Sequence, residues 1–270
     1  VMRLLSLCPS NTELAAFLGL MPHLAGVDDF SDWPQDVNKL PRLGPDLSID
    51  MDRVEALKPD LVLASLSVPG MERNIEELEK RRIPHVILNP QSLNDIAADL
   101  LTVGKLTSTD EKALEAVKQY NGYLDAFREF SKGIPKKTRI YIEWWPNPIF
   151  TPGRTNWLTE ICDLAGAENI FSDVHLASVQ TSWADVRVRN PEHIGLAWVG
   201  VQQSRMNPAH VLKRENSGEV DAVQNGRISL LEEELYCRPS PRLLYGLEKL
   251  AHLLHPEEAK ALEPLRFQLL

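Results

Sequence analysis

Residues 108–130 read STDEKALEAVKQYNGYLDAFREF, a stretch with no proline and a single glycine, Gly122. Leu114, Val117, Tyr120, Leu124 and Phe127 recur at spacings of three and four, which gathers them on one side of a helix. Ser108 followed three residues later by Glu111 has the form of a capping box, so the helix is expected to start there. At ~1.5 Å per residue it extends for about 33 Å, enough to reach across a domain. The polar turn Ser131-Lys132-Gly133-Ile134-Pro135-Lys136-Lys137 ends it.

Both flanks of this helix alternate strand and helix signals. On the N-terminal side residues 3–7 form a short β-run, and Ser10-Asn11-Thr12-Glu13 reads as a capping box opening a helix that stops at Gly19. An apolar run from His23 to Val27 leads into the polar and aromatic loop Asp28-Asp29-Phe30-Ser31-Asp32-Trp33-Pro34. Asp50 caps a helix through Leu57 that Lys58-Pro59 terminates, because proline cannot continue the hydrogen-bond ladder. Leu61 to Ala64 then reads as a buried strand, Met71 to Arg81 as a helix, His85 to Leu88 as a strand, and Ser92 to Asp95 as the cap of the next helix. The C-terminal side echoes this grammar: residues 186–197 repeat the helix, proline, acid and strand of residues 54–64, and Asn156 to Gly166 resembles Asn11 to Gly19. The expected fold is α/β, with two Rossmann-like lobes joined by a single long helix and a ligand cleft between them. The lobes span 1–106 and 136–270, and 107–135 holds the bridging helix and turn.

With 43% hydrophobic and 25% charged residues the composition is that of a globular protein, and a formal charge of −9 argues against a nucleic-acid surface, which needs clustered cations. No run approaches the roughly 18–20 apolar residues of a membrane span, so the chain is not integral to a membrane. The opening Val1-Met2-Arg3-Leu4-Leu5-Ser6-Leu7 is too short in apolar residues for a signal peptide, which makes a cytoplasmic protein one expectation. Cys8, Cys162 and Cys237 lie in no metal-binding or redox spacing, and Cys162 falls on the buried face of a helix. Glycine-rich phosphate loops, nucleophile elbows and zinc-protease motifs are missing. An enzyme with Cys8 as nucleophile has no paired base in the sequence, so no catalytic activity and no prosthetic group are expected.

Leu7-Cys8-Pro9-Ser10-Asn11-Thr12-Glu13, Phe30-Ser31-Asp32-Trp33-Pro34, Leu57-Lys58-Pro59-Asp60-Leu61-Val62, Asn147-Pro148-Ile149-Phe150-Thr151-Pro152-Gly153, Gly166-Ala167-Glu168-Asn169-Ile170-Phe171 and Ser240-Pro241-Arg242 follow one another in order. This series resembles that of the cobalamin-binding, helical-backbone (class III) substrate-binding proteins of ABC importers. The resemblance implies a monomer that captures a corrinoid, cobalamin or cobinamide, in the cleft and delivers it to a permease, in the periplasm or at the cell-envelope surface. A ferric siderophore or haem as ligand, and a cytosolic corrinoid carrier, remain alternatives.

A corrin is a broad disc fringed with amides, which calls for aromatic walls and a few polar contacts. The candidates are Cys8, Pro9, Ser31, Asp32, Trp33 and Leu66 in the first lobe, and Trp144, Trp145, Tyr236 and Arg242 in the second. Trp33 reads either as a ligand wall or as loop packing, and Arg242 either as a ligand contact or as the clasp of its own loop. Trp144 and Trp145 are adjacent, so on a strand they face opposite ways and one belongs to the core. Trp157 serves as a distant reference position. His175 reads as an axial ligand of cobalt or as a solvated loop residue, and Cys8 with Cys237 as a soft-metal pair or as two separate thiols. By the resemblance Glu72 docks the permease; the comparable second-lobe stretch, Gln202 to Pro208, carries no acid.

Overall fold

The first strand, β1 (Leu4–Ser6), is buried along its whole length and runs into α1 (Pro9–Phe17). Cys8, extended at φ −156°, is the N-cap, and Pro9 occupies the first helical position, where its missing N–H is no loss. The capping box expected at Ser10 is therefore displaced, and Ser10 lies inside the helix. The computed structural model describes residues 2–267. Three further strands follow, β2 (Leu24–Val27), β3 (Leu61–Ser65) and β4 (His85–Leu88), and all pair in parallel in the order β2-β1-β3-β4. Between β2 and β3 lies α2 (Met51–Ala56), capped as expected by Asp50, whose side chain accepts from the Asp52 and Arg53 amides. Lys58 then takes a left-handed φ of 48° before Pro59. Between β3 and β4 lies α3 (Glu72–Lys80).

Alternate strand residues enter two separate cores, as the pleat requires of a sheet covered on both faces. Leu4, Leu61 and Leu63 pack with Leu14, Phe17, Leu100 and Val103 on one face, and Leu5, Val62 and Ala64 with Val54, Ile75 and Leu78 on the other.

α4 (Leu93–Leu106) and α5 (Asp110–Lys132) follow. Ser108 is not the cap of α5: it adopts a left-handed φ of 56°, and the Thr109 carbonyl accepts the first helical bond from Ala113. A Cβ on Gly104 of α4 would collide with Ala113. That close approach selects a small residue, so the buried seam of α5 runs through Ala113, Ala116, Tyr120, Leu124 and Phe127 while Leu114 is 61% exposed.

After α5 come β5 (Thr138–Glu143), a hairpin of β6 (Trp145–Pro146) and β7 (Ile149–Pro152), α6 (Trp157–Leu164), β8 (Ala167–Asn169), β9 (Ser178–Thr181), α7 (Trp183–Arg189), β10 (His193–Leu196) and β11 (Ile228–Leu230). β11-β10-β5-β8 form a parallel sheet, and β6-β7-β9 a small antiparallel one. Read from β8, the second parallel sheet has the strand order of the first. Of the described residues, those up to Pro90, Asn94–Tyr120 and Phe267 form one compact unit, and Gln91–Leu93 with Asn121–Arg266 the other. The chain thus has the expected α/β architecture, two parallel-sheet lobes with α5 passing from one to the other. Among the described residues no helix is long and apolar enough to cross a membrane.

Candidate functional site

An open parallel sheet binds ligands outside the carboxyl ends of its strands, where the strand order reverses. In the first unit that point lies between β1 and β3, and the segments leaving β1, β2 and β3 carry Cys8 and Pro9, Ser31 to Trp33, and Leu66. A buried polar network ties them. Thr12 Oγ1 lies 2.7 Å from both Ser6 Oγ and Ser31 Oγ, and Ser31 Oγ donates to Asp28 Oδ1 at 2.5 Å. Asp28 Oδ2 accepts from the Phe30 and Ser31 amides, and Arg42 donates to the Asp28 and Ser31 carbonyls at 2.8 and 2.6 Å. Burial pushes the Asp28 carboxyl up to about 6.

Around this network the candidates are placed as follows. Cys8 is buried, its Sγ 3.4 Å from Ser10 Oγ, and burial pushes its thiol up to about 12. A buried thiol held protonated in this way is a poor nucleophile at neutral pH. Asp32 is exposed, Pro9 and Leu66 are half-buried, and the half-buried Trp33 ring sits 5.5 Å from Phe17, against the core. Glu72 is exposed at the first position of α3, and its carboxylate accepts from the Gly70 amide at 2.7 Å.

In the second unit the order reverses between β5 and β10. Trp144 and Trp145 leave β5: Trp144 packs on Trp157 at 5.6 Å, and Trp145 is 41% exposed. Trp157 Nε1 in turn donates to the Tyr236 carbonyl. Trp157 therefore touches two candidates and is not the distant reference the sequence suggested. Tyr236 is buried with its hydroxyl donated to the Gly246 carbonyl at 2.7 Å. Arg242 stands at the start of the helix Leu243–Leu254, where its amide donates to Ser240 Oγ. His175 is exposed in the segment between β8 and β9, and Cys237 Sγ donates to the Ala197 carbonyl. Among the described residues no group of three or more His, Cys, Asp and Glu is placed to hold a metal ion.

Sequence reading missed the polar centre of this second crevice. Glu143, at the end of β5, is fully buried. It accepts Arg214 in a bidentate pair at 2.6 and 2.8 Å, the Tyr141 hydroxyl at 2.6 Å and Trp198 Nε1 at 3.1 Å. A lone acid in the apolar run Ile140-Tyr141-Ile142-Glu143-Trp144 was the available signal, since a buried carboxylate demands a partner.

Two parallel-sheet lobes, each with its polar side chains gathered where the strand order reverses, define a two-lobed substrate-binding protein. The chain belongs to the periplasmic binding protein family, whose model matches residues 4–235. It is a binding protein and not an enzyme. It is 30% identical over 268 residues to an ABC transporter substrate-binding lipoprotein of Bacillus subtilis, YvrC, covering 96% of this chain and 81% of that one. It is also 30% identical over 249 residues to the vitamin B12-binding protein of Yersinia pestis, covering 92% and 84%. The structure of the periplasmic vitamin B12 binding protein BtuF of Vibrio cholerae matches with a TM-score of 0.78 and 25% identity, covering 96% of this chain and 98% of that one.

Proposed function

We propose that this chain captures a corrinoid, cobalamin or cobinamide, between lobes spanning 1–106 and 136–270 that a bridging segment, 107–135, connects. As a monomer in the periplasm or at the envelope surface, it hands the ligand to an ABC permease. The observation that carries this reading is the 30% identity to a vitamin B12-binding protein across 92% of the chain. The placement of Cys8, Pro9, Ser31, Asp32, Trp33 and Leu66 at the strand ends of one sheet, and of Trp144 and Trp145 at that of the other, supports it. In this reading the exposed indole of Trp145 and the half-buried Trp33 offer apolar area to the macrocycle, Asp32 and Arg242 meet its amides, and Tyr236 backs the second wall. Glu72, exposed at the head of α3, is the contact for the permease.

The test is titration of the full chain with cyanocobalamin, haem and a ferric siderophore, followed by tryptophan quenching. One-to-one binding of the corrinoid is expected, weakened at least about tenfold by Trp33→Ala and unchanged by Leu114→Ala on the outer face of α5. Saturable binding of haem or the siderophore without the corrinoid overturns the ligand class. Equal affinities in parent and Trp33→Ala overturn the first-lobe assignment.

A further inference from the structure

In the first unit, Ser6 Oγ at the end of β1, Thr12 Oγ1 on α1, and Ser31 Oγ and Asp28 Oδ1 in the loop after β2 stand in a chain at 2.7, 2.7 and 2.5 Å. Ser6 Oγ is also 3.1 Å from the Cys8 carbonyl, so a fourth link ends the chain at the N-cap of α1. A longer approach of Thr12 Oγ1 to the same carbonyl, 3.3 Å, adds to the demand for donors. All four side chains are buried, Ser31 being the most exposed at 2%.

Each link needs one proton between its two oxygens. The three hydroxyls supply one each, and neither a carbonyl nor a carboxylate supplies any. With Asp28 ionised, three protons serve four links, and one link stays open. The hydroxyls then point towards the charge, Ser6 to Thr12 to Ser31 to Asp28, and the Cys8 carbonyl loses the Ser6 donor. With a proton on Asp28 Oδ1 every hydroxyl turns the other way, and all four links close, from Asp28 through to Cys8. The change takes one proton from solvent and rotates three hydroxyls; no hydroxyl O–H bond breaks.

The groups facing Asp28 do not make up the shortage. Its Oδ2 accepts the Phe30 and Ser31 amides in either state. Arg42 donates to the Asp28 and Ser31 carbonyls, and the Asp29 carboxylate holds the Gly44 amide. The Cys8 thiol stays protonated. Burial, and to a smaller extent the Asp46 carboxylate, push the Asp28 carboxyl up to about 6, so the chain fills between pH 8 and pH 5. Its two ends sit on the segments that carry Cys8 and Pro9 on one side and Ser31, Asp32 and Trp33 on the other.

We infer that Asp28, Ser31, Thr12 and Ser6 form a proton-operated latch that ties the loop after β2 to the head of α1, and that closing it tightens the hold of the first unit on its ligand. A closed latch orders both segments in advance, which lowers the cost of ordering them on binding. The hold on the ligand rests on the corrinoid reading above; the latch does not.

The experiment follows the Asp28 carboxyl and Cys8 carbonyl carbons of the full chain, without ligand, by nuclear magnetic resonance from pH 8 to pH 5. Both are expected to shift with one shared midpoint. Thr12→Val takes the central hydroxyl out of the chain, so Asp28 should still titrate while the Cys8 carbonyl loses most of its shift. Asp28→Asn donates permanently to Ser31 and should hold the Cys8 carbonyl at its low-pH position throughout. A Cys8 carbonyl that stays still while Asp28 titrates in the parent, or that moves as much in Thr12→Val, overturns the latch. Cyanocobalamin affinity, read by tryptophan quenching, should be at least about threefold tighter at pH 5 than at pH 8 in the parent. It should be tight at both pH values in Asp28→Asn and weak at both in Thr12→Val. Equal parental affinities at the two pH values overturn the effect on the ligand. Absence of cyanocobalamin binding in every protein overturns the corrinoid reading and the hold that rests on it, and the Cys8 resonance still decides the latch.

Discussion

Removing the charge of Asp28 should stabilise the protein at neutral pH. The carboxylate is fully buried, and among the described residues no cation touches its oxygens: Arg42 directs Nη1 to the carbonyls of Asp28 and Ser31 and Nη2 to Asn38. Burial raises its pKa from 3.8 to about 6, outweighing the hydrogen bonds from Ser31 and Phe30 that lower it. A shift of about two units corresponds to about 3 kcal/mol between the two protonation states at ~1.36 kcal/mol per unit. Because the folded state holds this proton more tightly than the unfolded chain does, the associated stability is fully present below pH 3.8 and is lost as pH rises through about 6. In Asp28→Asn the amide oxygen can still accept the two backbone N–H groups, and the Ser31 hydroxyl can turn to Thr12, 2.7 Å away. Asp28→Asn should therefore exceed the parent by about 1–3 kcal/mol above pH 7, with the difference closing towards pH 4. Urea unfolding of both proteins at several pH values between 4.5 and 8, with hydrogen exchange of the Phe30 and Ser31 amides as a local probe, measures this. A variant that is less stable than the parent by the same amount at pH 5 and pH 8 refutes the reasoning.

Two further outcomes follow from the second unit and from α3. Arg214→Ala strands the Glu143 carboxylate in the core and should cost about 3–5 kcal/mol in urea unfolding, whereas Tyr141→Phe removes one of several donors and should cost about 1 kcal/mol; equal losses would mean that the ion pair is not the dominant partner. On the proposed function, in which the chain carries a corrinoid and Glu72 docks the permease, Glu72→Ala should leave corrinoid affinity intact and reduce uptake of labelled cobalamin in cells that depend on this protein, because a charge at a docking surface governs encounter and register. Unchanged uptake there removes Glu72 from the docking surface.

Local grammar made much of the fold legible. The echo between residues 54–64 and 186–197 is structural: Lys58 at φ 48° precedes Pro59 and β3, and Asn190 at φ 46° precedes Pro191 and β10. A left-handed residue that ends a helix before a proline depends on neighbours a few positions away, so sequence carries it. Where two local signals overlap, reading fails by a residue or two. At α1 the hydroxyl of Ser10 suggested the cap, but Pro9 fits only at the first helical position, which moves the cap to Cys8. On α5 two apolar stripes were available, and the choice between Leu114 and Ala113 lay with Gly104, a residue of another helix.

The candidate site was less legible, because its chemistry depends on pairs distant in sequence. Glu143 and Arg214 are 71 residues apart, and nothing local to Arg214 announces its partner. Once the two sheets are known to share one strand order, however, the difference between their crevices becomes informative. The first holds an acid that, among the described residues, accepts from one hydroxyl and two backbone amides, and burial raises its pKa to about 6. The second holds an acid paired with a bidentate arginine, and removing either partner would leave the other ion buried and unpaired. Lowering the pH from 7 to 5 should protonate Asp28 and so alter the loop that carries Ser31, Asp32 and Trp33. The duplicated architecture thus builds one crevice on an acid whose pKa burial raises to about 6 and the other on an ion pair, and hydrogen exchange of the Phe30 and Ser31 amides between pH 7 and 5 follows the first.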